Sequence, residues 1–209
     1  MNSGADLVSM FGQIAELKRL KRTGWLDRGV PREEVESVAD HSLNTSVIAW
    51  VVACDDMSLD SNRVLQLAMI HDLAESIAGD PAPYDQADIP SSDDHEARAA
   101  FFSVRHARSS ESSEIKRATE NAAVEQLIAL MSERAAANLR SLWDEYEAQE
   151  TAESKFVKQV DRLEAFLQSR DYVDRFPTLT TDGFRLQALE EITHPVLVEV
   201  RDERLRRER

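Results

Sequence analysis

Apolar residues that return every three or four positions dominate the well-patterned parts of this chain, and this spacing is typical of amphipathic α-helices. The sequence has no internal repeat, no β-hairpin signal, no glycine-rich phosphate loop and no G-x-S-x-G elbow. We therefore predict an all-α fold with about seven or eight helices in one bundle. The length of 209 residues fits a single domain over residues 1–209, with its core over residues 5–190.

The segment 61–77 is predicted to form one helix that ends at Gly79 and turns three polar residues inward, namely His71, Asp72 and Glu75. Buried imidazole and carboxylate groups are costly unless they bind each other, a metal or a ligand. Together they suit Mn, Fe, Co, Ni or Zn better than Ca or Mg. A helix with one satisfied buried histidine and a surface pair of acids would give the same pattern.

Two further polar residues lie on apolar faces of predicted helices. His41 falls in the first turns of a helix that begins near Ser37, whose hydroxyl can cap it. Asp161 lies at the edge of the apolar face of a helix that begins near Thr151, where an acid needs a cation. On these residues alone, His41 is either a satisfied core histidine or a metal ligand.

Two predicted helices carry apolar surface that we expect to face the core. The helix over residues 5–20 has one such stripe, and the helix that begins near Ser37 is expected to be buried nearly all round. The stripe consists of Leu7, Met10, Phe11, Ile14, Leu17 and Leu20, and the apolar residues of the other helix include Leu43, Val47, Trp50, Val51 and Cys54.

The densest cationic cluster before the C-terminus lies between these helices and includes Arg22, followed closely by Trp25. One interpretation is a basic helix end favoured by the helix dipole, with Trp25 as a packing anchor. The other is that Arg22 binds a phosphate as a planar fork while Trp25 forms a wall against a base or sugar. The residues alone do not choose between them.

The net charge of −14 repels phosphate backbones and anionic membrane surfaces, so extended nucleic acid and membranes are not expected partners. A small anionic substrate stays compatible with this charge, because a metal and a few local cations act at short range. The longest apolar run, 47–54, is too short to span a bilayer. Cys54 is the only cysteine, so we expect no intramolecular disulfide and a reducing cytoplasmic setting.

Helical patterning weakens over residues 86–115, which we interpret as a surface insertion or lid. A short helix is predicted over residues 97–104, and the serine-rich stretch 109–113 is expected to be solvated and mobile. The chain closes with a helix that begins at Pro195, and residues 195–209 form its charged end.

The order H…HD…D, formed by His41, His71-Asp72 and Asp161, resembles the HD-domain metallophosphohydrolase superfamily. Several surrounding blocks are similar to the family of HD-domain-containing protein 2 and the 5′-deoxynucleotidases, and the resemblance covers roughly residues 10 to 190. These blocks are Arg22-Thr23-Gly24-Trp25, Glu36 to Ser42, His71 to Glu75, Gly79-Asp80, Leu142 to Glu147 and Val160 to Glu164.

This resemblance implies an all-α, commonly dimeric protein that holds one divalent transition metal with His41, His71, Asp72 and Asp161. It implies hydrolysis of 2′-deoxynucleoside 5′-monophosphates to deoxynucleosides and phosphate, with the metal polarising a phosphate oxygen and acidifying a water.

The resemblance also suggests roles for four residues around the metal. Glu75 would orient or deprotonate the attacking water, and Asp80 would transfer a proton or hold the sugar. Arg22 would bind the phosphate, and Trp25 would bind the substrate. Some family members have the arginine and tryptophan adjacent, whereas Thr23 and Gly24 separate them here.

Two rival interpretations remain. In the first, His95 and His106 supply the extra ligands of a two-metal HD phosphodiesterase or a di-iron HD oxygenase, although both lie in the polar insertion. In the second, the chain is a non-catalytic HD scaffold that binds a partner, although all four ligands are present. The segment from about Gln86 to Ile115 is longer than is usual for the family, so the resemblance does not carry over the shape of the lid or the substrate selectivity.

Overall fold

The structure, a computed structural model, describes residues 3–207. Within them the chain forms eleven α-helices, one 3₁₀-helix and no β-strand beyond an isolated bridge. The helices are α1 (Gly4–Glu16), α2 (Thr23–Asp27), α3 (Val38–Asp55), α4 (Ser61–Ile70), α5 (Glu75–Ala78), the 3₁₀-helix (Gln86–Asp88), α6 (His95–Phe102), α7 (Ser110–Ile128), α8 (Glu133–Ala148), α9 (Ala152–Arg175), α10 (Asp182–Glu191) and α11 (Pro195–Arg206).

The all-α prediction is confirmed, and the number of helices exceeds the predicted seven or eight because elements such as α2 and α5 are too short to show a period. No helix among the described residues has both the length and the apolar composition to cross a membrane.

The chain divides into two compact units. The first unit comprises residues 3–22, 36–81 and 114–157, and the second comprises residues 23–35, 82–113 and 158–207. The expectation of one domain over the whole chain stays a prediction.

In the first unit, local capping and one backbone crossing position the segments that carry polar residues. Ser37 and Asp40 form a capping box at the start of α3, as predicted for Ser37. The N–H of Val38 donates to the carbonyl oxygen of Leu20 at 2.9 Å, and the N–H of Arg22 donates to that of Glu36 at 3.2 Å. These bonds fix Arg22 next to the entry of α3, one turn before His41.

The helix predicted over residues 61–77 is interrupted, which corrects that prediction. Helix α4 ends at Ile70, and α5 begins at Glu75. The turns between them are tightened by bonds that span three residues, such as Leu73 N–H to the Ile70 carbonyl oxygen at 3.0 Å. His71 and Asp72 therefore lie in a tight turn at the end of a helix, and Gly79 closes the segment with φ of +84°.

The predicted burial of α1 and α3 is wrong for the isolated chain. Leu7 and Phe11 on α1 are 55% and 66% exposed, and Leu43 and Trp50 on α3 are 64% and 45% exposed. Helical periodicity reports that a face is apolar, but it does not report what covers the face. Both helices of the first unit thus expose apolar side chains.

The second unit has a core around Trp25, which is 2% exposed and packs with Val30, Val35 and Tyr172. The Trp25 ring stacks on Phe184 with 4.4 Å between ring centroids. This position favours the interpretation of Trp25 as a packing anchor.

The segment 86–115 is partly helical, since it contains the 3₁₀-helix, α6 and the start of α7. Helix α7 begins at Ser110, and the Ser109 hydroxyl oxygen accepts from the N–H of Ser112 at 3.1 Å. Ser109, Ser110, Glu111 and Ser113 are exposed, as expected for a solvated stretch, and the mobility of residues 109–113 stays a prediction. The final helix begins at Pro195 as predicted, and residues 208 and 209 of its charged end lie outside the described residues.

Candidate metal centre

Three metal-ligating side chains converge in the first unit. His41 Nε2 and His71 Nε2 are 3.3 Å apart. Asp72 Oδ2 lies 3.3 Å from His71 Nε2 and 3.6 Å from His41 Nε2. Both imidazole side chains are fully buried, and the carboxylate is 17% exposed. Packing of α3 against α4 brings the start of one helix to the end of the other, although 30 residues separate the two histidines.

A backbone contact orients one of these donors. His71 Nδ1–H donates to the carbonyl oxygen of Ala68 at 2.7 Å. This bond assigns the proton to Nδ1, so the lone pair of His71 Nε2 points toward His41 and Asp72. Two imidazole nitrogens and a carboxylate oxygen that face each other repel unless a proton or a cation lies between them.

The separations of the three atoms match the spacing of ligands around one ion. With metal–ligand bonds of about 2.1 Å, adjacent ligands lie about 3.4 Å apart in a tetrahedral site and about 3.0 Å apart in an octahedral one. The observed range of 3.3–3.6 Å is close to the tetrahedral value. This cluster of histidine and acidic side chains could therefore hold a metal ion.

The cluster is balanced by one guanidinium. Arg22 Nη1 donates to Asp72 Oδ2 and to Asp80 Oδ1, each at 3.2 Å. Burial raises the pKa of Asp72, but His71, Arg22 and His41 outweigh it and hold this pKa well below its usual range. Burial also lowers the pKa of Arg22, yet Asp80, Asp72 and Glu75 raise it overall. Asp72 is therefore ionised and Arg22 is protonated throughout the physiological range.

Glu75 has the opposite electrostatic environment. The residue is 6% exposed, and its Oε2 atom is buried with no hydrogen-bond partner among residues 3–207. Burial, followed by the charges of Asp72 and Asp80, raises the pKa of this carboxyl well above its usual range, and Arg22 offsets only part of the effect. A buried carboxylate oxygen without a partner is rare in native proteins and points to a water or ligand.

Sequence reasoning did not assign a role to Glu120, which also belongs to this environment. Glu120 is 4% exposed, forms an ion pair with Lys116 and contributes to the raised pKa of Glu75. Burial, together with Glu147 and Asp72, raises the pKa of Glu120 itself, and Lys116 opposes this. The sequence does carry a signal for this residue. Glu120 lies three residues before Ala123, so helical spacing places it on the buried face of α7.

Three other candidates lie in the second unit. Asp161 on α9 is 6% exposed, and its Oδ2 is 3.2 Å from Lys158 Nζ and 3.5 Å from Arg162 Nη1. His106 Nε2–H donates to the Phe101 carbonyl oxygen at 2.5 Å, and the two rings stack. His95 is exposed at the start of α6.

Neither His95 nor His106 belongs to a group of three or more histidine, cysteine or acidic side chains, within residues 3–207, whose donor atoms could share an ion. The described residues thus provide no second metal cluster around these histidines.

A family model of the HD domain matches residues 14–200. The 5′-deoxynucleotidase HDDC2 of Mus musculus is 36% identical over 203 residues, which cover 95% of this chain and 86% of that protein. The 5′-deoxynucleotidase HDDC2 of Homo sapiens is 37% identical over 169 residues, which cover 81% and 69%.

Two solved structures have the same fold. A protein described as a predicted metal-dependent phosphohydrolase from Magnetospirillum magnetotacticum superposes with a TM-score of 0.62 at 25% identity, covering 98% of this chain and 93% of that one. A conserved hypothetical protein from Pyrococcus furiosus gives a TM-score of 0.65 at 24% identity, covering 95% and 99%. With a family model across residues 14–200 and relatives at 36% and 37% identity, this chain belongs to the HD-domain family.

Proposed function

We propose that the chain is a metal-dependent 5′-deoxynucleotidase that hydrolyses 2′-deoxynucleoside 5′-monophosphates to deoxynucleosides and phosphate. The observation that carries this proposal is the convergence of His41, His71 and Asp72 on one point beside the unpartnered carboxylate oxygen of Glu75. The relatives from Mus musculus and Homo sapiens, both named 5′-deoxynucleotidase, support it.

The proposed cofactor is one divalent transition ion, of Mn, Fe, Co, Ni or Zn. Its proposed ligands are His41, His71 and Asp72, with Asp161 added on the basis of the H…HD…D order in the sequence. When bound, such an ion supplies positive charge to a phosphate oxygen and makes a water more acidic. The mixed imidazole and carboxylate donors fit this class of ion better than Mg or Ca.

Glu75 is the proposed general base. Its buried Oε2 has no partner within residues 3–207, so it is available to accept a proton from a water. A carboxyl whose pKa is raised by burial binds that proton more strongly than an exposed glutamate does. Asp80 is the alternative acid for proton transfer, but its contact with Arg22 suits it better to holding that arginine or the sugar.

Arg22 is the proposed phosphate-binding residue. Both of its bonds to Asp72 and Asp80 are made by Nη1, and a guanidinium has five N–H donors in a planar fork. The remaining donors can bind phosphate oxygens while the two carboxylates hold the side chain in place. Trp25 is proposed to act through packing, in line with its 2% exposure, and its predicted contact with the substrate stays untested.

We also propose a homodimer in the cytoplasm. Leu7, Phe11, Leu43 and Trp50 expose apolar side chains on α1 and α3, and exposed apolar surface is typical of subunit interfaces. The single cysteine, Cys54, fits a reducing compartment.

The deciding experiment measures phosphate release from a panel of nucleotides in the presence of several divalent metals. We expect deoxynucleoside 5′-monophosphates to react faster than 5′-ribonucleotides and 3′-monophosphates, because a close-fitting sugar site disfavours an added hydroxyl. Equal rates for ribo- and deoxynucleotides would rule out the deoxy preference, and no phosphate release with any metal would rule out the activity.

Metal content is measured in the same preparations. We expect about one ion per chain, and His71→Ala should lose both the metal and the activity. The matched control is His106→Ala, whose ring stacks on Phe101 in the second unit. Two ions per active chain, or loss of turnover in both His95→Ala and His106→Ala, would instead favour the two-metal rival.

A further inference from the structure

The second unit contains a cavity of about 320 Å³ whose wall is rich in cationic and hydroxyl groups. Two arginines, one histidine and two threonines contribute to it, and no aspartate or glutamate among residues 3–207 does. The lining residues are Arg28, His95, Arg98, Ala99, Phe102, Thr178 and Thr180. None of them belongs to the proposed metal centre, and His95, Arg98, Ala99 and Phe102 come from the segment 86–115.

Arg28 lies between two aromatic rings. Its guanidinium carbon is 4.4 Å from the ring centroid of Phe102 and 4.5 Å from that of Phe184. Nη1 donates to the Gly24 carbonyl oxygen at 2.9 Å and approaches the Tyr84 hydroxyl at 3.5 Å. Nε is buried and has no hydrogen-bond partner within residues 3–207. The stacking fixes the orientation of the fork and leaves hydrogen-bonding capacity unused.

This arginine has no carboxylate partner within the described part of the chain. Among residues 3–207, no acid forms an ion pair with Arg28, and the neighbouring Asp27 accepts hydrogen bonds from the Tyr84 hydroxyl and Gln86 Nε2, each at 2.9 Å. Burial lowers the pKa of Arg28, and Tyr84 and Asp27 offset only part of that effect. A partly buried cation without a counter-charge is costly, and a bound anion would offset this cost.

Arg98 is a second fixed cation at the same cavity. Its Nη1 donates to the Pro90 carbonyl oxygen at 2.8 Å, its Nη2 donates to that of Asp27, and its guanidinium carbon lies 5.5 Å from the Phe102 ring centroid. Carbonyl oxygens do not neutralise its charge, and the part of the chain that the structure describes offers no ion pair to Arg98. Two guanidinium groups thus lie near the same phenyl ring in a chain of net charge −14.

From these groups we infer that the cavity is a second anion site, formed by residues outside the proposed metal centre, that binds a phosphate group. Two arginine forks and the hydroxyls of Thr178 and Thr180 supply donors in several directions, which suits a tetrahedral dianion. The volume is near the lower end, about 300 Å³, of small-molecule sites. The phosphate is either free inorganic phosphate or the 5′-phosphate of a small nucleotide.

The test uses full-length protein treated with a chelator, so that metal-dependent binding of phosphate is removed. Isothermal titration with inorganic phosphate should show about one site per chain in the wild type. Arg98→Glu should weaken this binding at least about tenfold, because charge-assisted hydrogen bonds are lost and repulsion is added. The matched control is Arg117→Glu, an equal change of charge at an exposed residue of α7, and it should bind like the wild type.

His95→Glu provides a second variant in case Arg98→Glu does not fold, because His95 is exposed at the cavity rim. Its control is Ala100→Glu, which adds the same charge at an exposed position of the same helix. His95→Glu should bind phosphate more weakly than Ala100→Glu. The proposal is overturned if the chelated wild type binds no phosphate, or if each variant binds as its control does.

Two nucleoside ligands identify the source of the phosphate. Binding of 2′-deoxyadenosine 5′-monophosphate more tightly than inorganic phosphate would assign the site to a nucleotide, and equal affinities would assign it to free phosphate. Deoxyadenosine, which lacks the phosphate, should not bind. If it binds as tightly as the monophosphate, the cavity recognises the nucleoside and the inference is wrong. None of these outcomes depends on turnover, so the proposed nucleotidase activity is tested separately.

Discussion

Replacing Glu75 with glutamine removes one negative charge and keeps the size of a side chain that is 6% exposed. We expect Glu75→Gln to stay folded, to retain its metal and to bind deoxynucleoside monophosphate. We expect kcat to fall by about 10²-fold or more, because an amide cannot accept the proton of the attacking water. A fall of this size corresponds to about 2.7 kcal/mol of transition-state stabilisation.

The same substitution should stabilise the metal-free protein at neutral pH. Burial and the charges of Asp72 and Asp80 raise the pKa of Glu75 in the folded chain, so the folded state holds this proton more strongly than the unfolded state does. The free energy of unfolding of the wild type therefore decreases as the pH rises above the ordinary glutamate pKa of about 4.3. The Glu75→Gln protein does not lose stability in this way. Its free energy of unfolding should therefore exceed that of the wild type by a large amount near pH 8 and by a small amount near pH 4.

The assays are phosphate release, metal analysis, and thermal unfolding in chelator at pH 4, 6 and 8. Glu75→Asp is the matched control, because it keeps a carboxylate and shortens the side chain. An unchanged kcat in Glu75→Gln would place the base elsewhere, with Asp80 the next candidate. Loss of the metal in Glu75→Gln would make Glu75 a ligand, and an equal decrease of stability with pH in both proteins would refute the electrostatic argument.

Three other substitutions give sharp expectations. Arg22→Lys should lower kcat/KM by about tenfold or more, since an ammonium cannot contact two carboxylates and a phosphate as a planar fork; wild-type kinetics would contradict a role in phosphate binding. In denaturant titrations, Gly183→Ala should destabilise the fold by about 1–3 kcal/mol, because a Cβ there would lie 2.6 Å from a backbone carbonyl oxygen. The control Gly12→Ala should be neutral or stabilising, because a Cβ at that position has nothing within 4 Å. Phe11→Asp should reduce the molar mass in light scattering to that of one chain, while Gln13→Asp, on the opposite face of α1, should not; equal masses would place the dimer interface elsewhere.

The amino-acid sequence was sufficient for the features that depend on near neighbours. The capping box at Ser37, the positive φ at Gly79 and the start of α11 at Pro195 were all predictable, because each follows from the chemistry of a few adjacent residues. The order His41, then His71-Asp72, also indicated polar side chains that the structure brings together in the first unit. A polar residue on an apolar helix face is a local signal of a site.

Tertiary structure decided everything that depends on pairing between distant segments. Helix α4 ends at Ile70, so the turn that carries Asp72 is held by Arg22, 50 residues earlier, as well as by local bonds. Periodicity could not show that Phe11 is exposed or that Trp25 is buried, because it measures the polarity of a face and not what packs against it.

The cationic cavity is the clearest example of a feature that depends on distant segments of the chain. Arg28 and Arg98 are 70 positions apart and belong to no motif, and each has an ordinary sequence context. Their charges meet only because both guanidinium groups pack near Phe102. Sequence alone therefore determined the all-α class, the helix starts at Ser37 and Pro195 and the residue types of the candidate metal centre. Folding determined which charges are paired and which are left for a ligand, because electrostatic energies depend on distance through space and on burial.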